Sequence, residues 1–210
     1  MAQTLPLRSD LLPTALKAVL ADVGTSGFDP RHTVRCIGVA TFRSQDSRDL
    51  ACLLDVDAQV SGWSCLPEPL VCDDCVLPLD FEVNGANGVE LLAVVAASPD
   101  TLPAWAVEAA KERGAVLRLV AVANLVGDRL ENCRELLRYA KWRVSLSDRI
   151  RLLAALDHEG SMTLVECMSA VRNAADPIGV VAALALKRFV EIDLDTGPLG
   201  PETKVTRFRG

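Results

Sequence analysis

Leu79-Asp80-Phe81-Glu82-Val83, then Asn84-Gly85-Ala86-Asn87-Gly88, then Val89-Glu90-Leu91-Leu92-Ala93-Val94-Val95-Ala96-Ala97: this stretch decides the fold class. In its first part, apolar Leu79, Phe81 and Val83 alternate with acidic Asp80 and Glu82, the period of a strand covered on one face. Asn84-Gly85 and Asn87-Gly88 favour positive φ and mark a hairpin turn. The last part has almost no polar face, the composition of a central strand buried on both sides. A strand of that kind belongs to a sheet layered between helices, so a mixed α/β domain is expected.

Working outward, residues 76–83 and 89–97 form the hairpin, and residues 62–71 read as an extended edge interrupted by Pro67 and Pro69. Residues 33–40 alternate as a strand, and residues 44–54 have helical spacing with Leu50, Leu53 and Leu54 on one face. Residues 9–20 read as a short amphipathic helix with Pro13 near its first turn, and residues 23–31 as a loop. Downstream, a helix over 102–113 lies between Pro103 and Gly114, a strand covers 116–122, and a helix over 130–142 turns Leu130, Cys133, Leu137 and Trp142 inward.

The pattern changes after Ser145. A helix covers 148–156, and His158-Glu159-Gly160-Ser161 turns it. Thr163 and Glu166 have capping-box spacing and open a helix to about residue 171. Asp176-Pro177 caps a third helix reaching residue 188. Residues 189–194 and 203–208 alternate around a Gly/Pro turn. Three short helices and a hairpin is the winged-helix order, so two domains are expected: an α/β domain over 1–145 and a small winged-helix-like domain over 146–210.

Half of the 210 residues are hydrophobic and 24% are charged, which suits a folded chain. The net charge of −6 argues against a generally basic surface wrapped around nucleic acid. No apolar run approaches the roughly 20 residues that cross a bilayer. The N-terminus lacks a signal-peptide core, and the seven cysteines are scattered without a disulfide framework. A reduced, cytoplasmic setting without membrane contact is expected.

Residues 44–122 resemble the nuclease domain of the TnsA-type transposon endonucleases, a family with the restriction-endonuclease-like fold. Leu53-Leu54-Asp55-Val56-Asp57 followed by Val60 is similar to the family's helix end. Leu79-Asp80-Phe81-Glu82-Val83 is similar to its aspartate–phenylalanine strand, and Val94-Val95-Ala96-Ala97 falls where the family carries glutamine-x-lysine. The resemblance implies a restriction-endonuclease-like mixed sheet flanked by helices, which the trailing winged-helix-like domain also fits. In such nucleases carboxylates hold a divalent metal that activates water, and a lysine stabilises charge near the scissile phosphate. Carried over residue by residue, the glutamate falls on Ser47, the aspartate on Asp80, the glutamine on Val94 and the lysine on Ala96. Asp80 alone keeps its group and is the residual catalytic candidate. One carboxylate holds magnesium poorly, because the ion demands near-octahedral oxygen ligands. The expectation is a nuclease fold without catalysis and without a cofactor.

An active enzyme with rearranged ligands is the alternative. Asp80 and Glu82 would share a strand face, Glu90 would face Glu82 across the hairpin, and Lys111 would replace the lost lysine; the bland reading is a solvated acidic hairpin. Cys72-Asp73-Asp74-Cys75 has the spacing of half a zinc site, with Cys65 and His32 or His158 as further ligands, or else is a tight turn.

The third helix of the C-terminal part, Ile178-Gly179-Val180-Val181-Ala182-Ala183-Leu184-Ala185-Leu186, offers no base-reading side chain, so it packs inside the domain or meets another protein or its own copy. DNA-backbone contact has candidates in Arg138, Lys141, Arg143, Arg149, Arg151, Lys204, Arg207 and Arg209. From Ser147 onward, however, eight Lys/Arg face nine Asp/Glu, net −1, leaving −5 upstream. The function expected is therefore a binding or adaptor subunit in a DNA-transaction or mobile-element setting. A protein partner or homo-oligomer is expected, with a DNA-binding regulator as the second reading.

Overall fold

The computed structural model describes residues 27–72, 75–97 and 101–209. The helix expected over 9–20 lies outside the described residues. In chain order the elements are α1 (Gln45–Val56), β1 (Val60–Cys65), β2 (Leu70–Cys72), β3 (Cys75–Leu77), β4 (Phe81–Gly85) and β5 (Gly88–Val95). They continue with α2 (Ala104–Glu112), β6 (Ala115–Ala121) and α3 (Asp128–Leu137). A four-stranded sheet runs β1-β4-β5-β6, antiparallel except for the parallel pair β5–β6. The parallel pair needs a crossover, which α2 supplies.

β5 is central, as its composition predicts. On one face of the sheet Trp63, Phe81, Val83 and Leu92 pack with Leu50, Ala51 and Leu54 of α1. On the other, Leu91, Ala93 and Leu117 pack with Ala106 and Ala110 of α2. α1 starts where Ser44 accepts the backbone N–H of Ser47, and α2 follows Pro103 and stops before Gly114 at φ +71°. The mixed α/β class follows from these layers.

Three local expectations are corrected. Residues 33–40 make only a single bridge, Cys36 to Trp63, because Gly38 at φ +86° turns the chain away. Residues 76–83 are two strands: β3 ends before Pro78 and pairs with β2 in a separate ribbon, and β4 begins at Phe81. Residues 62–71 divide likewise, with Leu66 at φ +49° and Pro67 and Pro69 between β1 and β2.

The remainder holds α4 (Leu146–Glu159), β7 (Ser161–Thr163), α5 (Leu164–Ala170), α6 (Pro177–Leu186), β8 (Val190–Ile192) and β9 (Lys204–Arg207). Both expected caps form: Thr163 and Glu166 close a capping box, and Asp176 accepts the N–H of Gly179 ahead of Pro177 in α6. β7, which the sequence reads as part of a turn, joins the hairpin to give a sheet ordered β7-β9-β8. α6 is buried along most of its length, from Gly179 through Leu184 and again at Leu186. Of the alternatives for this apolar helix, internal packing is the one realised.

The change of pattern at residue 145 is not a break in packing. Cys52 of α1, Leu130, Cys133, Leu136 and Leu137 of α3, and Val180, Val181 and Leu184 of α6 share one core. Polar contacts follow the same seam. Buried Asn132 donates through Nδ2 to the carbonyls of Leu194 (3.0 Å) and Gly197 (2.8 Å), and its Oδ1 accepts the N–H of Leu199 (2.9 Å). Arg129 holds both carboxylate oxygens of Asp195 at 2.6 Å. The β8–β9 loop is thus strapped to α3. Asn132→Ala leaves three backbone groups without that partner and is expected to cost about 2 kcal/mol. Urea denaturation of the full chain measures it; an unchanged midpoint would show that the strap contributes nothing.

Candidate functional site

Backbone bonds fix Asp80 just ahead of β4: its N–H donates to Leu92 O and its C=O accepts from Leu66 N–H, both at 2.8 Å. Its carboxylate is nearly buried, at 5% exposure. Oδ1 accepts from Ser47 Oγ at 2.7 Å, and Oδ2 accepts from Val94 N–H at 2.7 Å. Arg43 Nε stands 3.8 Å from Oδ1, and Arg43 Nη2 donates to Leu79 O at 3.3 Å. Three of the four positions singled out in the sequence, Ser47, Asp80 and Val94, therefore meet at one point, between the first turn of α1 and the end of β5. Ala96 lies exposed beyond β5.

The chemistry of this cluster is that of a neutralised buried carboxylate. A hydroxyl proton and an amide proton are directed at the two oxygens, and a guanidinium supplies the positive charge. A divalent cation needs several oxygen donors with lone pairs turned toward it. Here the groups around Asp80 present hydrogens and a fixed cation instead. The residues do not fit a metal.

The other acidic candidates do not assemble. Register pairs Glu82 with Leu91 and Glu90 with Val83, so the two glutamates lie on opposite faces of the hairpin and not across from one another. Facing residues in an antiparallel pair share a side, which sends Glu82 toward the α2 layer and Glu90 toward the α1 layer. Glu90 pairs with Arg118 at 3.0 Å. Lys111 is exposed on α2, 3.8 Å from Glu108. Asp80 itself precedes β4 and reaches toward α1, so the expected alternation with Glu82 does not bring the two together. Among the described residues, no three His, Cys, Asp or Glu side chains come together as metal ligands.

Cys72 and Cys75 stand opposite each other at the end of the β2–β3 ribbon. Cys65 takes a different partner: its sulfur accepts Thr41 N–H at 3.3 Å and hydrogen-bonds the Cys36 thiol. Burial, then the neighbouring Cys65, push the Cys36 thiol up to about 12. His158 meets Glu159 at 2.8 Å, while His32 offers its backbone carbonyl to Arg48. The four-ligand zinc set considered from the sequence is not brought together.

The basic candidates are partly spent on local carboxylates. Arg138 pairs with Glu135 (2.9 Å), Arg151 with Asp148 (3.3 Å) and Arg207 with Asp157 (2.9 Å), while Arg149 stacks over Phe189. Lys141, Arg143, Lys204 and Arg209 are exposed. Lys187, absent from the sequence-based set, donates to Trp142 O at 3.3 Å and so stands beside Lys141 and Arg143.

Sequence reasoning also missed a polar cluster beneath α1. Asp55 Oδ1 accepts from Arg35 N–H (2.8 Å) and Trp63 Nε1 (3.0 Å). Fully buried Arg48 holds the carbonyls of Pro30 (2.8 Å) and His32 (3.0 Å) and lies 5.1 Å above the Phe42 ring. A buried Asp and Arg in one helix, Asp55 and Arg48, were the only sequence signal, and amphipathic spacing hides it. No protein-family model matches the chain, and no curated protein matches it.

Two outcomes are expected. Asp80→Ala strands Ser47 and Val94 N–H beside the Arg43 charge and should lower stability by about 3 kcal/mol, read from chemical denaturation. A carboxylate kept only for catalysis would leave stability unchanged or raise it on removal. Burial, outweighing the bonds from Arg35, Val34 and Trp63, raises the Asp55 carboxyl above its ordinary 3.8. A raised folded value contributes stability that is present below 3.8 and lost as pH rises through the folded value. The stability of the wild type minus that of Asp55→Asn should fall over that window and stay flat above it. A difference that grows with pH would contradict the assignment.

Proposed function

We propose that this chain is a catalytically silent protein of the restriction-endonuclease-like fold, related to the TnsA-type transposon endonucleases, that works by binding. The observation that carries the proposal is the meeting of Ser47, Asp80 and Val94. Positions chosen from the resemblance alone converge where a metal-dependent nuclease would keep its ligands, and the groups there present protons and Arg43 to the one surviving carboxylate. The β1-β4-β5-β6 sheet with α1 and α2 on its faces supports the same fold. In the C-terminal part, the order α4, β7, α5, α6, β8, β9 with the sheet β7-β9-β8 supports a winged-helix-like unit.

The binding role is that of an adaptor subunit for a protein partner in a DNA-transaction or mobile-element setting. Base reading has no support: α6, the helix that would enter the major groove, is buried, and the loop that would form the wing is tied to α3 by Asn132 and Arg129. A second reading, contact with the DNA backbone, is favoured by Lys187 standing beside Lys141 and Arg143. Phosphate contacts of that kind weaken steeply with salt.

Supercoiled plasmid incubated with the full chain and Mg²⁺ or Mn²⁺ should show no metal-dependent nicking. Nicking that depends on metal and disappears in Asp80→Ala would overturn the proposal. In the same preparation, a mobility shift lost between low and physiological salt and reduced by Lys141→Ala with Arg143→Ala would establish the backbone contact; a shift insensitive to both would remove it.

A further inference from the structure

The β2–β3 ribbon carries a pair of cysteines that the binding role does not use. Leu70 faces Leu77, Val71 faces Val76 and Cys72 faces Cys75, with residues 73 and 74 joining the last two. Side chains alternate along a strand, so both thiols project on the side of the ribbon that carries Leu70 and Leu77. That side packs on α2: Leu70 is fully buried with Ala106 and Ala110, and Leu77 packs against the same cluster. Arg113, at the end of α2, donates to Glu68 O and Pro69 O, both at 2.7 Å. The base of the ribbon is thus held twice, and the apolar pair in the core fixes the register of the two cysteines.

That register meets the geometric demand of a disulfide. Directly opposed residues of an antiparallel pair have Cα atoms about 4.5–5.5 Å apart. A disulfide needs about 4.4–6.8 Å. Both side chains are thiols, Cys75 exposed and Cys72 half-buried. The other five cysteines are poorly placed for exchange. Cys52, Cys133 and Cys167 are buried, which pushes the first two thiols up to about 12 and the third up to about 11. The Cys36 and Cys65 thiols are raised as well, by burial first. The thiolate is the attacking species, so these five exchange slowly at neutral pH.

We propose that Cys72 and Cys75 are a dithiol–disulfide couple, oxidised by small soluble disulfides and reduced again by small thiols. Cys75 reacts first, as the more exposed of the two. Its thiol gives up a proton, and the thiolate attacks one sulfur of the small disulfide RS–SR. That S–S bond breaks, a mixed disulfide forms on Cys75, and the departing RS⁻ takes up the proton as RSH. Cys72, deprotonated in turn, attacks the Cys75 sulfur. The Cys72–Cys75 bond forms, and the second RSH leaves with the second proton. Two protein thiols lose two electrons, and one RS–SR gains them.

The couple is of the reversible kind. Its bond closes only residues 72–75, and so short a loop constrains little of the unfolded chain. Exposed disulfides are the labile, regulatory ones, whereas structural disulfides resist reduction by small thiols. Oxidation therefore marks the outer end of the ribbon covalently and leaves the packing on α2 as it was. The inference is independent of the nuclease-fold reading, since it uses neither Asp80 nor the resemblance.

Equilibrating the full chain with mixtures of reduced and oxidised glutathione, without oxygen, tests it. After acid quenching and alkylation of the remaining thiols, cleavage before Asp73 or Asp74 separates the two sulfurs, so a bond between them appears as two joined fragments in mass spectrometry. The Cys72 and Cys75 thiols should disappear together while the other five cysteines stay alkylated. At a fixed level of reduced glutathione, half-oxidation should need about tenfold less glutathione disulfide than the same bond needs in urea, because folding holds the sulfurs opposite each other. In Cys75→Ser, Cys72 should carry glutathione at most and join no other cysteine. Equal half-points in the folded and the urea-treated chain would overturn the proposal. So would Cys72 and Cys75 found only alkylated or only bound to glutathione. A bond from Cys36 to Cys65 formed in preference, or chains joined to one another through Cys72 or Cys75, would overturn it too.

Discussion

The ten-residue helix α3 stands in the middle of one core shared by α1 and α6, and the arrangement of the molecule follows from that constraint. Leu130, Cys133, Leu136 and Leu137 are buried together with Cys52 of α1 on one side and Val180, Val181 and Leu184 of α6 on the other. Fully burying one such aliphatic side chain contributes roughly 1.5–3 kcal/mol, so losing either neighbour would expose several of them at once. The polar partners of α3 point the same two ways. Arg134 reaches Asp49 of α1 at 2.8 Å, and Asn132 and Arg129 hold the β8–β9 loop. α6 needs this shared core, because its all-round apolar surface has to find cover. The tight approach of Gly179 to Trp142, where a Cβ would stand 3.0 Å from the ring, shows how closely the fit is made.

The features legible in the sequence are those that depend on local rules. The hairpin turn at 84–88, the central place of β5, the capping box at Thr163 and Glu166, and the Asp176-Pro177 start of α6 all rest on residues whose preference is set within a few positions. Legibility falls where tertiary contacts override local pattern. Residues 33–40 alternate like a strand, yet Gly38 ends the pairing after one bridge. The run 76–83 reads as one strand because Leu79, Phe81 and Val83 alternate with Asp80 and Glu82, but Pro78 cannot donate to a ladder and the chain changes sheets there. β7 is three residues long and is defined only by β9, its partner more than forty positions away.

The candidate site is legible in part, for a related reason. A short resemblance singles out Asp80, Ser47 and Val94, and they do meet. Arg43 stays hidden because nothing local distinguishes it from any other arginine before a helix. The acidic cluster of Asp80, Glu82 and Glu90 fails on register: shifting the pairing across a hairpin by one residue exchanges the two faces. The observed pairing of Glu82 with Leu91 settles the geometry against a shared site.

What the buried carboxylate is for decides how the rest of the molecule should be read. A divalent metal needs several oxygen donors with lone pairs turned toward it. Asp80 is the reverse case: each of its oxygens has a donor within 2.7 Å, and a guanidinium balances the charge. In that state it ties the first turn of α1 to the end of β5. The surface cations likewise argue against base reading. Arg138, Arg151 and Arg207 face carboxylates at 2.9–3.3 Å, and α6 is spent on the core. Val165 and Ile178 stay half-exposed beside the groove between α3, α5 and α6, where burial of their apolar surface would be favourable.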